Sequence, residues 1–386
     1  MASSRRIEAF SKSLGRPGAP LHAAAHSHHP WPDVSFDAHA RAWEDAARLI
    51  DRKWDHVFGT VFPEAQTHIA RVLNLPDPKT IAFAPNTHSL VLRLLSCMPA
   101  ARPARVLTTD SEFMSFARQV ARLEEESLLH VTRIPVEPFD TFDARFADAA
   151  AKGGHDLVFF SHVFFDSAYR VGDLEAIVRA VASRETLIVI DGYHGFMALP
   201  TDLSAIAERA FYLAGGYKYA MAGENACFLH CPPGYAPRPR DTGWYAGFTA
   251  LEGGLSGVPF AADGSRFLGA TFDVSGLYRF NAVQNWLGRE RLTVEAMRDH
   301  VRGLERAFLA KLRGAATTSM LLLPDEAKRG RFLALGTAQA GAIAKALMER
   351  NVIVDHRRDR LRIGFGIYND EEDVERLADV LAVSSE

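Results

Sequence analysis

Apolar residues along this chain fall into two rhythms. From about Asp37 to Phe58, Trp43, Ala47, Ile50 and Trp54 recur at three- or four-residue steps, which predicts a long amphipathic helix. Beyond it, short apolar runs alternate with helical stretches. The runs are TIAF (Thr80–Phe83), VLTT (Val106–Thr109), HVTRIPV around Val131, DLVFFS (Asp156–Ser161), TLIVI (Thr186–Ile190), FYLA (Phe211–Ala214) and ACFLH (Ala226–His230). Helices are expected between them, as at Phe113–Glu126 and Asp173–Ala182. Strands that stay apolar on both faces and are separated by helices form a mostly parallel sheet covered on both sides, so the expected architecture is α/β.

A Pro- and Gly-rich stretch from Pro232 to Gly276 interrupts that rhythm and reads as linker and active-site loops. After it come helical patterns from Tyr278 to Leu312, a strand, a helix at Gln339–Arg350, the strand pair NVIVD and RLRIGFG, and a last helix from about Asp370 to Val383. The organisation expected is an N-terminal arm and loop (1–33), a large domain (34–245), a linker with active-site loops (246–277) and a smaller C-terminal α+β domain (278–386). The first twenty residues lack an apolar core of signal-peptide length, and Glu8 weakens a transit-peptide reading; they are expected to be an unstructured or docking arm.

Composition removes several classes. With 386 residues, 48% hydrophobic and 24% charged, the chain is neither disordered nor fibrous. Its 44 basic and 47 acidic side chains are mixed along the sequence, so no footprint for nucleic acid stands out. The longest apolar stretch, Leu157–Phe165, is broken by Ser161 and His162, well short of the roughly 18 residues a membrane helix needs. Three cysteines are too few for a disulfide framework, and a reducing, cytoplasmic setting is expected.

No GxGxxG, GxxxxGK[ST], GxSxG or HExxH motif is present. What remains are polar residues at the carboxyl ends of predicted strands, where open parallel sheets place ligands. Asp191 follows TLIVI in VIDGYHGF, and an anion buried there needs a cationic partner. Lys218 lies between two tyrosines in AGGYKYAMAGENACFLH, ahead of another apolar strand; a desolvated lysine has a lowered pKa and can form a Schiff base with an aldehyde. In FAPNTHSLVLRLL, Asn86, Thr87, His88 and Ser89 follow a strand and open a helix, a place where backbone N–H groups and hydroxyls bind a dianion or simply cap the helix. Lysine, carboxylate and phosphate cradle together are what pyridoxal phosphate requires.

These residues resemble the class V aminotransferase family of pyridoxal-phosphate enzymes, fold type I, and within it most of all the kynureninases. YKY at Tyr217–Tyr219 implies Lys218 as the Schiff-base lysine and Tyr217 as a phosphate ligand. DGYH implies Asp191 on the pyridine nitrogen and His194 close to the ring. SHVFFDSAYRVGDLEAI places Ser161, with His162 beside it, at the cofactor. By the same resemblance Phe113 stacks on the ring, Trp244 in TGWYAGF and Thr271 in LGATF reach the phosphate across a homodimer interface, and Arg362 in LRIGFGIYN holds the substrate carboxylate, a task its planar fork suits.

The departures are on the substrate side: the N-terminal loop reads HAAAHSHHPWPD, and Phe116 stands where an acidic residue is expected. His26, His28 and His29 in that loop have three readings: metal ligands without a completing carboxylate or cysteine, a bland surface loop, or a cover in which one of them, taken as His28, meets the substrate. No metal site is expected. Cys227 and Cys231 read as structural. The activity implied is cleavage at the β-carbon of an α-amino acid by hydrolysis; an aminotransferase or a β-elimination, desulfurase-like lyase would use the same groups, and a non-catalytic binder on the same fold is the reading from a different class.

Overall fold

The structure is a computed structural model and describes residues 4–253, 257–312 and 320–384. Its strands are β1 (Leu21–His22), β2 (Ile81–Ala84), β3 (Ala104–Thr109), β4 (Leu129–Ile134), β5 (Leu157–Ser161), β6 (Leu187–Asp191), β7 (Phe211–Gly215), β8 (Cys227–His230), β9 (Leu333–Gly336), β10 (Val352–Ile353), β11 (Asp355–Arg357) and β12 (Arg360–Ile363). The α-helices are α1 (Ser4–Glu8), α2 (Asp33–Leu49), α3 (Lys53–His56), α4 (Phe62–Leu73), α5 (Thr87–Ser96), α6 (Met114–Glu125), α7 (Phe139–Ala151), α8 (Leu174–Ala180), α9 (Ser275–Arg289), α10 (Val294–Lys311), α11 (Ala340–Glu349) and α12 (Glu371–Ser384).

Seven strands form one sheet in the order β2-β8-β7-β6-β5-β3-β4, parallel except for β8, which runs against both its neighbours. The strands LVFFS and LIVI are buried at every position, as a sheet covered on both faces demands. Parallel pairing in register puts Ser161 opposite Asp191 and Asp191 opposite Leu213, so the polar last residues of β5 and β6 emerge side by side at one edge. The expected α/β fold with a mostly parallel seven-stranded sheet is the one observed.

The smaller unit is a three-stranded antiparallel sheet, β11-β12-β9, backed by α10, α11 and α12, with a second apolar cluster that includes Val301, Phe308, Leu347, Leu361 and Leu377. β1 pairs in parallel with β10, so residues from the expected N-terminal loop join this unit; Leu21 and Ala23 belong to its core. The helical patterns expected over Tyr278–Leu312 are two helices, α9 and α10, with Thr293 accepting from the Ala296 amide as the cap between them.

Of the two readings of the arm the docked one is observed, and two other expectations need correction. The arm is docked, because Phe10 is fully buried against Trp286 and Tyr368, and the Asp33 carboxylate accepts from the Ser11 and Lys12 amides. The helix expected over Asp37–Phe58 starts at Asp33 and ends at Leu49, where Ile50 takes a positive φ of 52°; its apolar stripe is not the packed face, since Trp43 and Ile50 are 73% and 68% exposed while Ser35 and Ala38 are buried. The stretch 246–277 is not all loop: a 3-10 turn at Gly264–Phe267 buries Arg266 and Phe267, and α9 starts at Ser275, while 254–256 fall outside the described residues. Among the described residues, no helix is long and apolar enough to cross a membrane.

Candidate active site

The edge where β5 and β6 end carries a cavity of about 270 Å3. Asn86, Thr87 and His88 at the start of α5, Phe113 ahead of α6, Ser161, Asp191, His194, Tyr217 and Lys218 all line it. The chain puts them there for local reasons. Asn86 caps α5 by accepting from the Ser89 amide at 2.9 Å, so the first turn of that helix begins at the cavity wall. The capping reading of Asn86 is the one observed, and it leaves Thr87 and His88 on the cavity wall. Lys218 follows β7 by three residues, before the chain turns back into β8.

Asp191 and Lys218 are each partly open to the cavity and otherwise enclosed by protein. Burial pushes the Asp191 carboxyl up to about 6, against the Tyr193 amide that donates to it at 2.9 Å and the attraction of Lys218. Burial lowers the Lys218 amine to about 7, with the Arg362 guanidinium adding to the effect and Asp191 opposing it. The Lys218 Nζ donates to the His26 carbonyl at 3.1 Å. His194 is buried with both ring nitrogens lacking a partner, and burial with Lys218 and Arg362 nearby keeps it neutral.

The histidine loop is not a surface loop. His26 and His29 are fully buried: His26 stacks on Phe332 at 4.5 Å, and His29 packs edge-on to Tyr368. His28 reaches Tyr217 Oη through Nδ1 at 2.7 Å and lines a neighbouring 650 Å3 cavity; it does not line the Lys218 cavity, whose wall its partner Tyr217 helps form. Trp31 packs on Gly223, whose φ of +69° and closeness to the indole leave no room for a Cβ. Among the described residues no cluster suited to a metal ion is found.

Some expected site residues are elsewhere. Arg362 does not line the cavity; it is 2% exposed, pairs with Asp355 across β11 and β12, donates to the Phe165 carbonyl, and leaves its Nε without a partner. Trp244 and Thr271 hydrogen-bond each other at 3.3 Å and do not line the Lys218 cavity of their own chain. His162 is turned into the core beside Tyr212 and Gly195. Phe116 is core too, stacked on Phe159 at 3.6 Å.

Other residues went unread. Val163, Phe165, Tyr193, Glu224 and Cys227 line the cavity, and Glu112 lies buried beside Ser161. For Glu112 a signal existed: an acidic residue closely follows the apolar VLTT strand, much as Asp191 ends its own. Cys227, inside β8, points its Sγ at Tyr193 Oη 3.6 Å away, and burial pushes its thiol up to about 12.

A lysine and a carboxylate at the carboxyl edge of a mostly parallel seven-stranded sheet, beside a helix N-terminus, an unpartnered Nδ1 on the half-buried His88 and the unpartnered buried ring of His194, fit pyridoxal phosphate: an aldehyde carbon, a ring nitrogen and a phosphate each find a partner type. The fold and site define a fold type I pyridoxal-phosphate enzyme. Comparison with known proteins agrees. The aminotransferase class-V family profile matches residues 51–377, and the chain belongs to that family. It is 30% identical over 349 residues to isopenicillin N epimerase from Streptomyces clavuligerus, covering 82% of this chain and 83% of the relative. A probable cysteine desulfurase from Vibrio cholerae is 23% identical over 338 residues, covering 82% and 80%. Among solved structures, the cysteine desulfurase CsdA from Escherichia coli superposes with a TM-score of 0.78 at 14% identity, covering 98% of both chains. A cystine C-S lyase with glycine linked covalently to its pyridoxal-phosphate cofactor superposes with 0.75 at 18% identity, covering 96% and 98%. The cofactor is pyridoxal 5′-phosphate.

Proposed function

We propose that this enzyme removes the α-proton of an amino acid at Lys218 and that a second group returns a proton to the opposite face of the same carbon, an epimerase-type reaction without net amino transfer. The observation that carries it is the Lys218 amine, lowered to about 7 in a cavity that the unpartnered His194 also lines, because an amine near neutrality is present as the free base and a second proton-exchanging group stands beside it. The 30% identity to an epimerase over most of the chain supports the choice of outcome. When bound, the cofactor supplies the Schiff-base aldehyde and the electron sink that acidifies the α-carbon.

The chain's own groups then have these proposed roles. Asp191 holds a proton on the pyridine nitrogen. Thr87, His88 and the α5 amides receive the phosphate, with Tyr217, steadied by His28, beside them. Phe113 packs on one face of the ring, edge-on to Phe165 at 5.5 Å. His194, neutral and unpartnered, is the second group able to exchange a proton in the cavity. Arg362 takes the substrate carboxylate in competition with Asp355. In the homodimer we infer, Trp244 and Thr271 serve the cavity of the other chain; Trp244 is 42% exposed.

A second reading, kynureninase-like hydrolysis at the β-carbon, is favoured by the strings SHVFFDSAYR, DGYH and YKY. Sulfur transfer through a thiolate of this chain has less support, since Cys97, Cys227 and Cys231 all have thiols pushed up to about 12 by burial. The deciding experiment incubates holoenzyme in D2O with an amino-acid panel that includes kynurenine and 3-hydroxykynurenine. Expected are deuterium at Cα and inversion of configuration, read by mass spectrometry and chiral chromatography. Alanine released from kynurenine would establish the second reading instead, and stoichiometric conversion of cofactor to pyridoxamine phosphate would refute both.

Two further results are expected at Lys218. Borohydride reduction followed by peptide mapping should find the cofactor on Lys218, and an adduct on any other lysine would overturn its role. Reconstitution of the apoenzyme should quicken as pH rises through about 7, the value for Lys218, and then level off, because only the neutral amine attacks an aldehyde. A rate that kept climbing toward the ordinary lysine range would contradict the lowered value.

A further inference from the structure

Glu112 is a buried carboxyl for which the proposed reaction has no use. It is 4% exposed and directly precedes Phe113. Its Oε1 accepts from Thr109 Oγ1 at 2.8 Å and from the Ser161 amide at 3.2 Å, and its Oε2 lies 2.6 Å from Ser161 Oγ. These partners, on β3 and β5, are hydroxyls and an amide, and the charged neighbour that bears on it is Asp191 on β6, a like charge. Among the described residues no Lys, Arg or His forms an ion pair with it.

Two carboxyls thus share the sheet edge. Asp191 has Lys218 and the ring nitrogen of the cofactor as cationic partners; Glu112 has none. A buried carboxyl in that position holds its proton, since burial penalises the charged form and no counter-ion compensates it. Hydrogen-bond bookkeeping then fixes where the proton goes. Oε1 already receives two N–H or O–H groups, so the remaining contact, Oε2 to Ser161 Oγ, is the one a carboxylic acid can donate along.

We propose that Glu112 is a protonated positioning residue that donates from Oε2 to Ser161 Oγ, so that the Ser161 hydroxyl hydrogen is turned into the cavity toward an oxyanion or carbonyl oxygen of the bound cofactor or substrate. Ser161 lines the cavity, so the state of Glu112 decides what the serine presents there. With Glu112 protonated, Ser161 is a donor. With Glu112 ionised, Ser161 would have to donate to Oε2 and would offer the cavity only an acceptor. Burial pushing the Glu112 carboxyl up to about 8 agrees with the protonated state at neutral pH. The inference holds for either reaction proposed above, because it concerns a serine and a carboxyl of this chain.

The test uses the holoenzyme and the variant Glu112→Gln, whose amide N–H and carbonyl reproduce the donor and acceptor pattern of the protonated acid. A carboxyl raised in the folded state contributes stability that is present below its unfolded value, near 4.5, and lost as pH rises toward about 8. The glutamine has no such dependence. E112Q is therefore expected to melt within about 2 °C of wild type near pH 6 and to gain on it by about 5 °C near pH 9. The infrared carbonyl band of a protonated carboxyl should be present in wild type at neutral pH and absent from E112Q. The visible absorption maximum should be the same in both and should shift in Ser161→Ala, which keeps the acid but removes the hydroxyl. A large loss of melting temperature in E112Q that does not change with pH, with no infrared band lost, would show an ionised Glu112 and overturn the proposal. An E112Q absorption maximum displaced as far as that of S161A would overturn the donor role of Ser161.

Discussion

Asp191→Asn is expected to load with cofactor and to turn over about a thousandfold more slowly than wild type. Removing one partner of a buried ion pair costs about 4 kcal/mol, which as a barrier is about three powers of ten. The geometry says why the effect falls on rate more than on loading. Asp191 ends a fully apolar strand, and the Tyr193 amide fixes its Oδ1 from one side, so an asparagine carbonyl can keep that bond and the backbone need not move. What the amide lacks is the charge that holds a proton on the pyridine nitrogen. Thr87, His88, Tyr217 and Lys218, which lie along the other walls of the cavity, are untouched. The measurement is a pair: cofactor content from the visible spectrum and kcat for α-proton exchange. Wild-type exchange in a fully loaded D191N enzyme would remove Asp191 from its role, whereas an enzyme that no longer loads would mean that the carboxylate acts chiefly in binding.

Asp191 and Lys218 were legible in the sequence because each lies beside an apolar run, and parallel pairing sends the ends of such runs to one edge. Ser161, Thr87 and His88 follow from the same rule, and the cavity gathers them with the first two. Glu112 obeys the rule too, but what makes it notable is an absence of cations around it, which only packing reveals. Arg362 shows the opposite limit. Its place in LRIGFG is readable, while its pairing with Asp355 depends on the register of β11 against β12, set by the turn at Arg358 and Asp359. Which of the loop histidines are buried is not readable in the sequence for a similar reason. A run of imidazoles before WPD looks solvated, and only the pairing of β1 with β10 and the bridge from Ala24 to Gly364 draw it under the small sheet, burying His26 and His29.

That burial makes the enzyme sensitive to acid, and a loss of stability between about pH 6.5 and about pH 5 is the expected result. His22 and His230 are lowered to about 4, and His29 and His162 to about 3, in each case first by burial; His26 and His194 are lowered well below the ordinary range by burial together with Arg362 and Lys218. Each stays neutral in the folded chain at pH values where the unfolded chain has bound a proton. The stability such a group contributes is present above about 6.5 and is lost as pH falls toward the folded value. Over one and a half pH units that is about 2 kcal/mol for each histidine, so about 8 kcal/mol for the four with values of 3 to 4, comparable with the whole stability of a typical domain. Glu112 and Asp191, raised to about 8 and about 6, work the other way across this window, as do Asp166, Glu305 and Asp373, five carboxyls against eight lowered histidines once His68 and His300 are included. His29 shows the structural origin: its Nδ1–H donates to the Pro30 carbonyl at 2.8 Å, its Nε2 has no partner, and the rings of Phe10 and Tyr368 pack on it, so a second proton has nowhere to be solvated. Urea unfolding of the holoenzyme at about pH 7, 6 and 5 measures the slope, and His29→Gln, which keeps a donor toward Pro30 without a titrating ring, should flatten it by about one proton. Stability that is level or rising toward pH 5 would mean that these histidines take up protons in the folded chain.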